Sequence, residues 1–134
     1  MANMPPRVVR FVSVVVQQGS DARCRARVEL RNQDGRLFAA TVEGGCAELE
    51  TLQTAAQAAA DAVIQAVGEG EDGLKVDGLA ITEAFGERTV FVQVSAFYWR
   101  QRRELLGFCL IEADSMRAAA LAVLNATNRF LCTG

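Results

Sequence analysis

The feature that most constrains this chain is that it reads as one unit written twice. Val8 to Gln17 is an apolar run rich in β-branched residues, the pattern of a buried strand. Ala22 to Arg31 alternates strictly, with Cys24, Ala26, Val28 and Leu30 on one face and Arg23, Arg25, Arg27, Glu29 and Arg31 on the other. Asn32-Gln33-Asp34-Gly35 supplies a hairpin turn, and Arg36 to Glu43 is a third strand that ends at Gly44-Gly45. From about Glu48 to Val67 the pattern turns helical, dominated by alanines that favour helix and permit close packing. The polar stretch Gly68-Glu69-Gly70-Glu71-Asp72-Gly73 then breaks the pattern, and the same order starts again. Strands are expected over Leu74 to Glu83, Arg88 to Arg100 and Glu104 to Glu112. Asp114 or Ser115 offers an N-cap to a last helix over Met116 to Leu131. Laying the second unit on the first pairs Val14 with Leu79, Val28 with Val94, Leu37 with Leu105, Asp61 with Asn125 and Ala62 with Ala126.

A unit of about 60 residues is near the lower limit for a self-sufficient core. Two small-residue helix faces and two sheets, each in need of cover, require the halves to pack on one another. The expected fold is α+β: a tandem βββα–βββα repeat whose antiparallel sheets pack with two Ala-rich helices about a pseudo-twofold. One domain, 1–134, would contain a first repeat at 7–67, a Gly/acidic linker at 68–73 and a second repeat at 74–132.

Composition narrows the function. Of 134 residues, 51% are hydrophobic and 22% charged, enough apolar material for a core. Fourteen Lys+Arg against sixteen Asp+Glu argue against a general grip on nucleic acid. There is no histidine, which removes the commonest general base, the Ser-His and Cys-His pairs and the commonest metal ligand. Ser115 therefore has no His partner, no assembled carboxylate site stands out, and Gly44-Gly45 lacks the Lys and Ser/Thr of a P-loop. The expectation is a protein that is not an enzyme, with no metal and no cofactor.

Cys24, Cys46, Cys109 and Cys132 form no C-x-x-C pair, so no zinc knuckle or thioredoxin-type motif is encoded. Cys24 and Cys109 sit in apolar runs, where a free cysteine acts as a small hydrophobe. Cys46, ahead of a helix, is the one place where a lowered thiol pKa is expected. The N-terminus lacks a charged-then-apolar signal pattern, and no run approaches the ~20 apolar residues that span a bilayer. A cytoplasmic location and no membrane partner are expected.

Three features are candidates for binding. The arginines at 23, 25, 27 and 31 suit anions, but they read as a solvated strand face because no aromatics interleave with them. Arg100-Gln101-Arg102-Arg103-Glu104 reads as a hairpin turn. On the strand from Arg88 to Arg100, Val90, Val92, Val94 and Ala96 take one side while Phe91, Phe97 and Trp99 take the other. The first strand is similar, Val9, Phe11 and Val15 opposing Val8, Val12, Val14 and Val16. Apolarity on both faces marks Phe91, Phe97 and Trp99 as a subunit interface and points to a homodimer. The third candidate is the pair of strand-to-helix loops, Gly44-Gly45-Cys46 and Ala113-Asp114-Ser115, where backbone N–H groups at a helix start suit a small carboxylate or phosphate.

The tandem order and the segment Asp114-Ser115-Met116-Arg117-Ala118-Ala119-Ala120-Leu121-Ala122-Val123-Leu124-Asn125-Ala126-Thr127-Asn128-Arg129 resemble the C-terminal regulatory domain of α-isopropylmalate and citramalate synthases. Asp114, Ala118, Leu124, Ala126, Asn128 and Arg129 coincide with that family's pattern in the second helix. The resemblance implies a dimer of tandem βββα domains that binds leucine-like amino acids near the two strand-to-helix loops. The chain departs from the pattern at Gly44-Gly45, where the family carries Gly-x-Gly-Pro, and at Ser115-Met116, where it carries Ile-Ile. The expected function is thus a non-catalytic regulatory or ligand-sensing module that dimerises and takes a small, amino-acid-like metabolite. The alternative is a purely structural scaffold that self-assembles or docks to a partner enzyme.

Overall fold

The computed structural model describes residues 9–19, 21–67, 73–98 and 101–133. Its elements run β1 (Arg10–Gln18), β2 (Arg23–Arg31), β3 (Leu37–Gly45), α1 (Glu48–Val67), β4 (Gly73–Ala84), β5 (Glu87–Tyr98), β6 (Gln101–Leu110) and α2 (Ser115–Thr133). Two antiparallel three-stranded sheets, β1-β2-β3 and β4-β5-β6, are each followed by a helix. The fold is the tandem βββα repeat of an α+β protein. Of the expected linker, 68–72 lies outside the described residues, and Gly73 already belongs to β4.

The repeat is marked by a bulge at the same place in each unit. In β1 the register shifts between Phe11 and Ser13, and in β4 between Val76 and Gly78. An extra residue reverses the alternation beyond it. This corrects which residues share a face in β1: Phe11, Val14 and Val16 lie together inward, while Val12 and Val15 stay exposed on the outer side. Phe11 pairs with Leu30, Val14 with Val28 and Val16 with Ala26 on the inner face, while Arg10, Ser13 and Val15 pair outward with Arg31, Glu29 and Arg27. Matching the bulges keeps Val14 equivalent to Leu79, but their partners are Val28 and Val92, so Val94 corresponds to Leu30. Leu37 faces solvent and Leu105 lies inward opposite Val94, so that proposed equivalence is one residue out of phase.

The hairpin turns follow local chemistry. Asn32 Oδ1 accepts from the N–H groups of Asp34 (3.0 Å) and Arg36 (2.9 Å), and Gly35 takes φ +82. The β4–β5 connection is the two-residue turn Phe85-Gly86, both with positive φ, between paired Ala84 and Glu87. Gln101 to Glu104, expected as a turn, is the start of β6.

The core is a meeting of small side chains. In α1, Leu52, Ala55, Ala56, Ala58, Ala59, Ala60, Ala62 and Val63 are fully buried. In α2, Ala118, Ala119, Ala120, Ala122, Val123, Leu124 and Ala126 are buried. Burial extends around several sides of each helix because each packs on its own sheet, on the other helix and on a strand of the other unit. Helix α1 lies on β2 and β3, on α2, and on β4 of the other unit; α2 lies on β5 and β6, on α1, and on β1 of the other unit. That reciprocity is the pseudo-twofold. Gly107 shows how close the layers come: a Cβ there would overlap the Ala122 carbonyl and stand 2.7 Å from Ala126 N. Among the described residues no helix is long and apolar enough to cross a membrane.

Candidate functional site

The first expected loop site is built differently from its sequence reading. Gly44 and Gly45 are not loop residues; they close β3, paired with Cys24 and Arg23. Gly44 serves helix packing, since a Cβ there would run into the buried Thr54 side chain, whereas one on Gly45 would meet only the movable carboxylate of Glu50. Cys46 is joined to Cys24 in a disulfide. The expectation of a low-pKa thiol at Cys46, and of Cys24 as a plain hydrophobe, is therefore corrected. The two were missed because strand pairing, not sequence spacing, brings them together: Cys24 lies opposite Gly44, two residues before Cys46. Glu48 and Glu50 occupy the first turn of α1, so the positive helix end already faces carboxylates.

The second loop is a cap. Asp114 Oδ1 accepts from the N–H groups of Met116 (2.9 Å) and Arg117 (3.3 Å), filling the donors a ligand carboxylate would need. Ser115 opens α2 and Ala113 is exposed beside the cap. The Arg117 guanidinium stands 5.6 Å from the Phe11 ring centroid, tying this helix start to β1. Cys109, a free cysteine on the inner side of β6, has its thiol pKa raised by burial, with Arg117 opposing and Glu112 adding to the shift. Among the described residues no group of three or more His, Cys, Asp or Glu is arranged to hold a metal ion.

The outer face of β4-β5-β6 gathers five of the ten exposed large hydrophobic side chains among the described residues. Phe91 is 40% exposed, Phe97 45%, Leu106 65%, Phe108 51% and Leu110 47%. Strand register gathers most of them: Phe91 is opposite Phe108, Thr89 opposite Leu110 and Gln93 opposite Leu106. The Phe91 and Phe108 rings lie 6.0 Å apart between centroids. Trp99, the third expected interface residue, lies outside the described residues. Leu106, Phe108 and Leu110 were not expected, although the period-2 alternation Leu106, Phe108, Leu110 against Leu105, Gly107, Cys109 carries the signal.

One end of this face is polar. Ser95, 1% exposed, donates its hydroxyl to Asp77, the extra residue of the β4 bulge. Arg102 donates to Ser95 Oγ from Nη2 at 3.1 Å and reaches Asp77 at 3.8 Å and Glu104 at 3.6 Å. Gln93 donates to Glu104 at 3.2 Å. The face thus has an apolar centre bordered by paired charges.

The outer face of β1-β2-β3 is of another kind, an arginine field in which Arg25 pairs with Glu43 (2.9 Å) and Arg27 with Glu29 (3.2 Å). Compared with known proteins, the chain matches no family model and no curated protein.

Proposed function

We propose that the chain is a non-catalytic assembly module that forms a homodimer through the outer face of β4-β5-β6. The observation that carries this reading is the set Phe91, Phe97, Leu106, Phe108 and Leu110, all on one sheet face and each at least 40% exposed. Aromatic rings that can each bury ~150–250 Å² are enriched in interface centres and unfavourable in water. A second copy is the occupant that suits both parts of the face. The apolar centre complements itself, and the border carries Lys75 and Arg102 beside Asp77 and Glu104, charges of both signs within one patch. Isologous closure needs such self-complementarity.

Size-exclusion chromatography of three variants tests it. Phe91→Glu and Phe108→Glu place a charge in the interface and should elute as monomers. Leu37→Glu, on the other sheet's outer face, should elute as the dimer. A Phe108→Glu protein that stays folded and dimeric would contradict the reading.

A ligand-sensing role, with kinship to the regulatory domain of α-isopropylmalate and citramalate synthases, is the second reading. It is supported by the tandem order and the Asp114–Arg129 segment, with a leucine-like metabolite near Gly44, Gly45, Ala113, Asp114 and Ser115 as the ligand. Its weakness is that the donors of the second loop are already capped by Asp114. A thermal-shift panel of amino acids and organic acids separates the two, since a ligand at 100 times its Kd adds ~2.7 kcal/mol. The Cys24–Cys46 bridge supports work in a setting where thiols oxidise, rather than the cytoplasm expected from the N-terminus.

A further inference from the structure

The outer face of β1-β2-β3 concentrates positive charge on a protein whose formal net charge is −2. The strand pairings put five arginines, Arg10, Arg23, Arg25, Arg27 and Arg31, on this face with two glutamates, Glu29 and Glu43. The glutamates are each engaged by one arginine, Glu43 by Arg25 and Glu29 by Arg27. The guanidinium groups of Arg10, Arg23 and Arg31 have no carboxylate partner among the described residues. Arg10 and Arg31 stand directly opposite each other on adjacent strands, where like charges destabilise a sheet. An unneutralised cross-strand pair of this kind gains most from an anion laid across it.

The same face is not purely polar. Val15 and Leu37 lie exposed among the arginines, and Val12, the extra residue of the β1 bulge, is exposed beside them. A shallow depression is lined by Val15, Gln17, Arg25, Arg27, Thr41 and Glu43. Guanidinium forks match carboxylates in two-point contacts, and the apolar residues between them suit a ligand with hydrocarbon between its charges.

We propose that this face docks an acidic segment of a partner protein, one in which apolar side chains alternate with carboxylates. Nucleic acid fits less well. None of the residues pairing on this face is aromatic, so no platform for base stacking exists, and Glu29 and Glu43 would oppose a continuous phosphate backbone. The face is separate from the apolar face of β4-β5-β6, so the protein could dimerise through one sheet and recruit through the other.

The test uses the full chain and three fluorescent probes: a 14-residue peptide alternating glutamate with leucine, a 14-residue polyglutamate, and a single-stranded oligothymidylate. Fluorescence anisotropy should show the glutamate–leucine peptide binding most tightly, and its affinity should fall as salt rises. Arg10→Gln/Arg23→Gln/Arg31→Gln removes three exposed charges that make no ion pair with any described residue, and it leaves the core untouched. It should weaken peptide binding at least tenfold while the melting transition stays in place. No binding of the glutamate–leucine peptide, tighter binding of the oligothymidylate, or unchanged affinity in the folded triple variant would each overturn the proposal.

Discussion

Phe85 occupies the tip of the β4–β5 hairpin with φ 56, fully exposed, next to Gly86 at φ 80. A two-residue turn with both φ values positive favours Asn-Gly, because asparagine tolerates the left-handed region and a bulky side chain does not. Phenylalanine at this position costs about 1 kcal/mol relative to asparagine, and its ring recovers nothing by burial within the chain. Phe85→Asn should therefore raise the unfolding free energy by about 1 kcal/mol in a urea titration at low protein concentration. A residue kept at such a position at the end of the apolar sheet suits contact outside the chain. The disulfide belongs to the same scale. It closes 22 residues around the β2–β3 hairpin and fastens the start of β2 to the approach to α1. Chain entropy alone makes a ring of that length worth about 3 kcal/mol. Cys24→Ser should lower stability by about that amount, and the wild type treated with reductant should fall to the same level. A reductant-insensitive melt would contradict the bridge.

Each unit's helix reaches across to the first strand of the other unit with a carboxamide. Gln57 on α1 accepts from Val76 N–H at 2.8 Å and donates to the Leu74 carbonyl at 3.2 Å. Asn128 on α2 accepts from Val9 N–H and donates to the Val9 carbonyl, both at 3.3 Å. Matching the bulges makes Val9 and Leu74 equivalent, so both contacts fasten the same end of an edge strand. A side-chain amide that offers one donor and one acceptor replaces a neighbouring strand's peptide group and blunts the edge. Gln57→Leu leaves the Val76 N–H and Leu74 carbonyl unmet at a half-buried site and should cost about 1–3 kcal/mol. Hydrogen exchange at the Val76 amide should accelerate, while exchange in β2 stays slow. Equal acceleration in both strands would show that the contact does not act locally.

The element order was legible because periodicity changes from 2 to 3.6 at the same places in each half. The faces were less so. One bulge residue in β1 reverses the alternation, and nothing in Val8 to Gln17 marks Val12 as that residue. The glycines misled, because Gly44-Gly45 resembles a loop but closes β3, with Gly44 making room for Thr54. The apolar patch was half legible: Phe91 and Phe97 stood out as aromatic, while Leu106 and Leu110 looked like ordinary strand residues until register placed them beside Phe91.

As a whole, the molecule has two outer faces of opposite character behind a core shared by both units. Arginines cover one sheet, and phenylalanine and leucine cover the other. The shared core explains why neither face can turn inward: the buried side of each sheet is filled by alanine-rich helices packed to the limit that Gly107 sets. The apolar face is thereby left open, and a second copy is the partner proposed for it. Sedimentation equilibrium of the unmodified chain, over a concentration series at moderate salt, tests it most directly. A dimer through this face should give twice the 14.5 kDa chain mass at the upper concentrations, with monomer appearing only at the lowest. A mass that stays at 14.5 kDa across the series would contradict it.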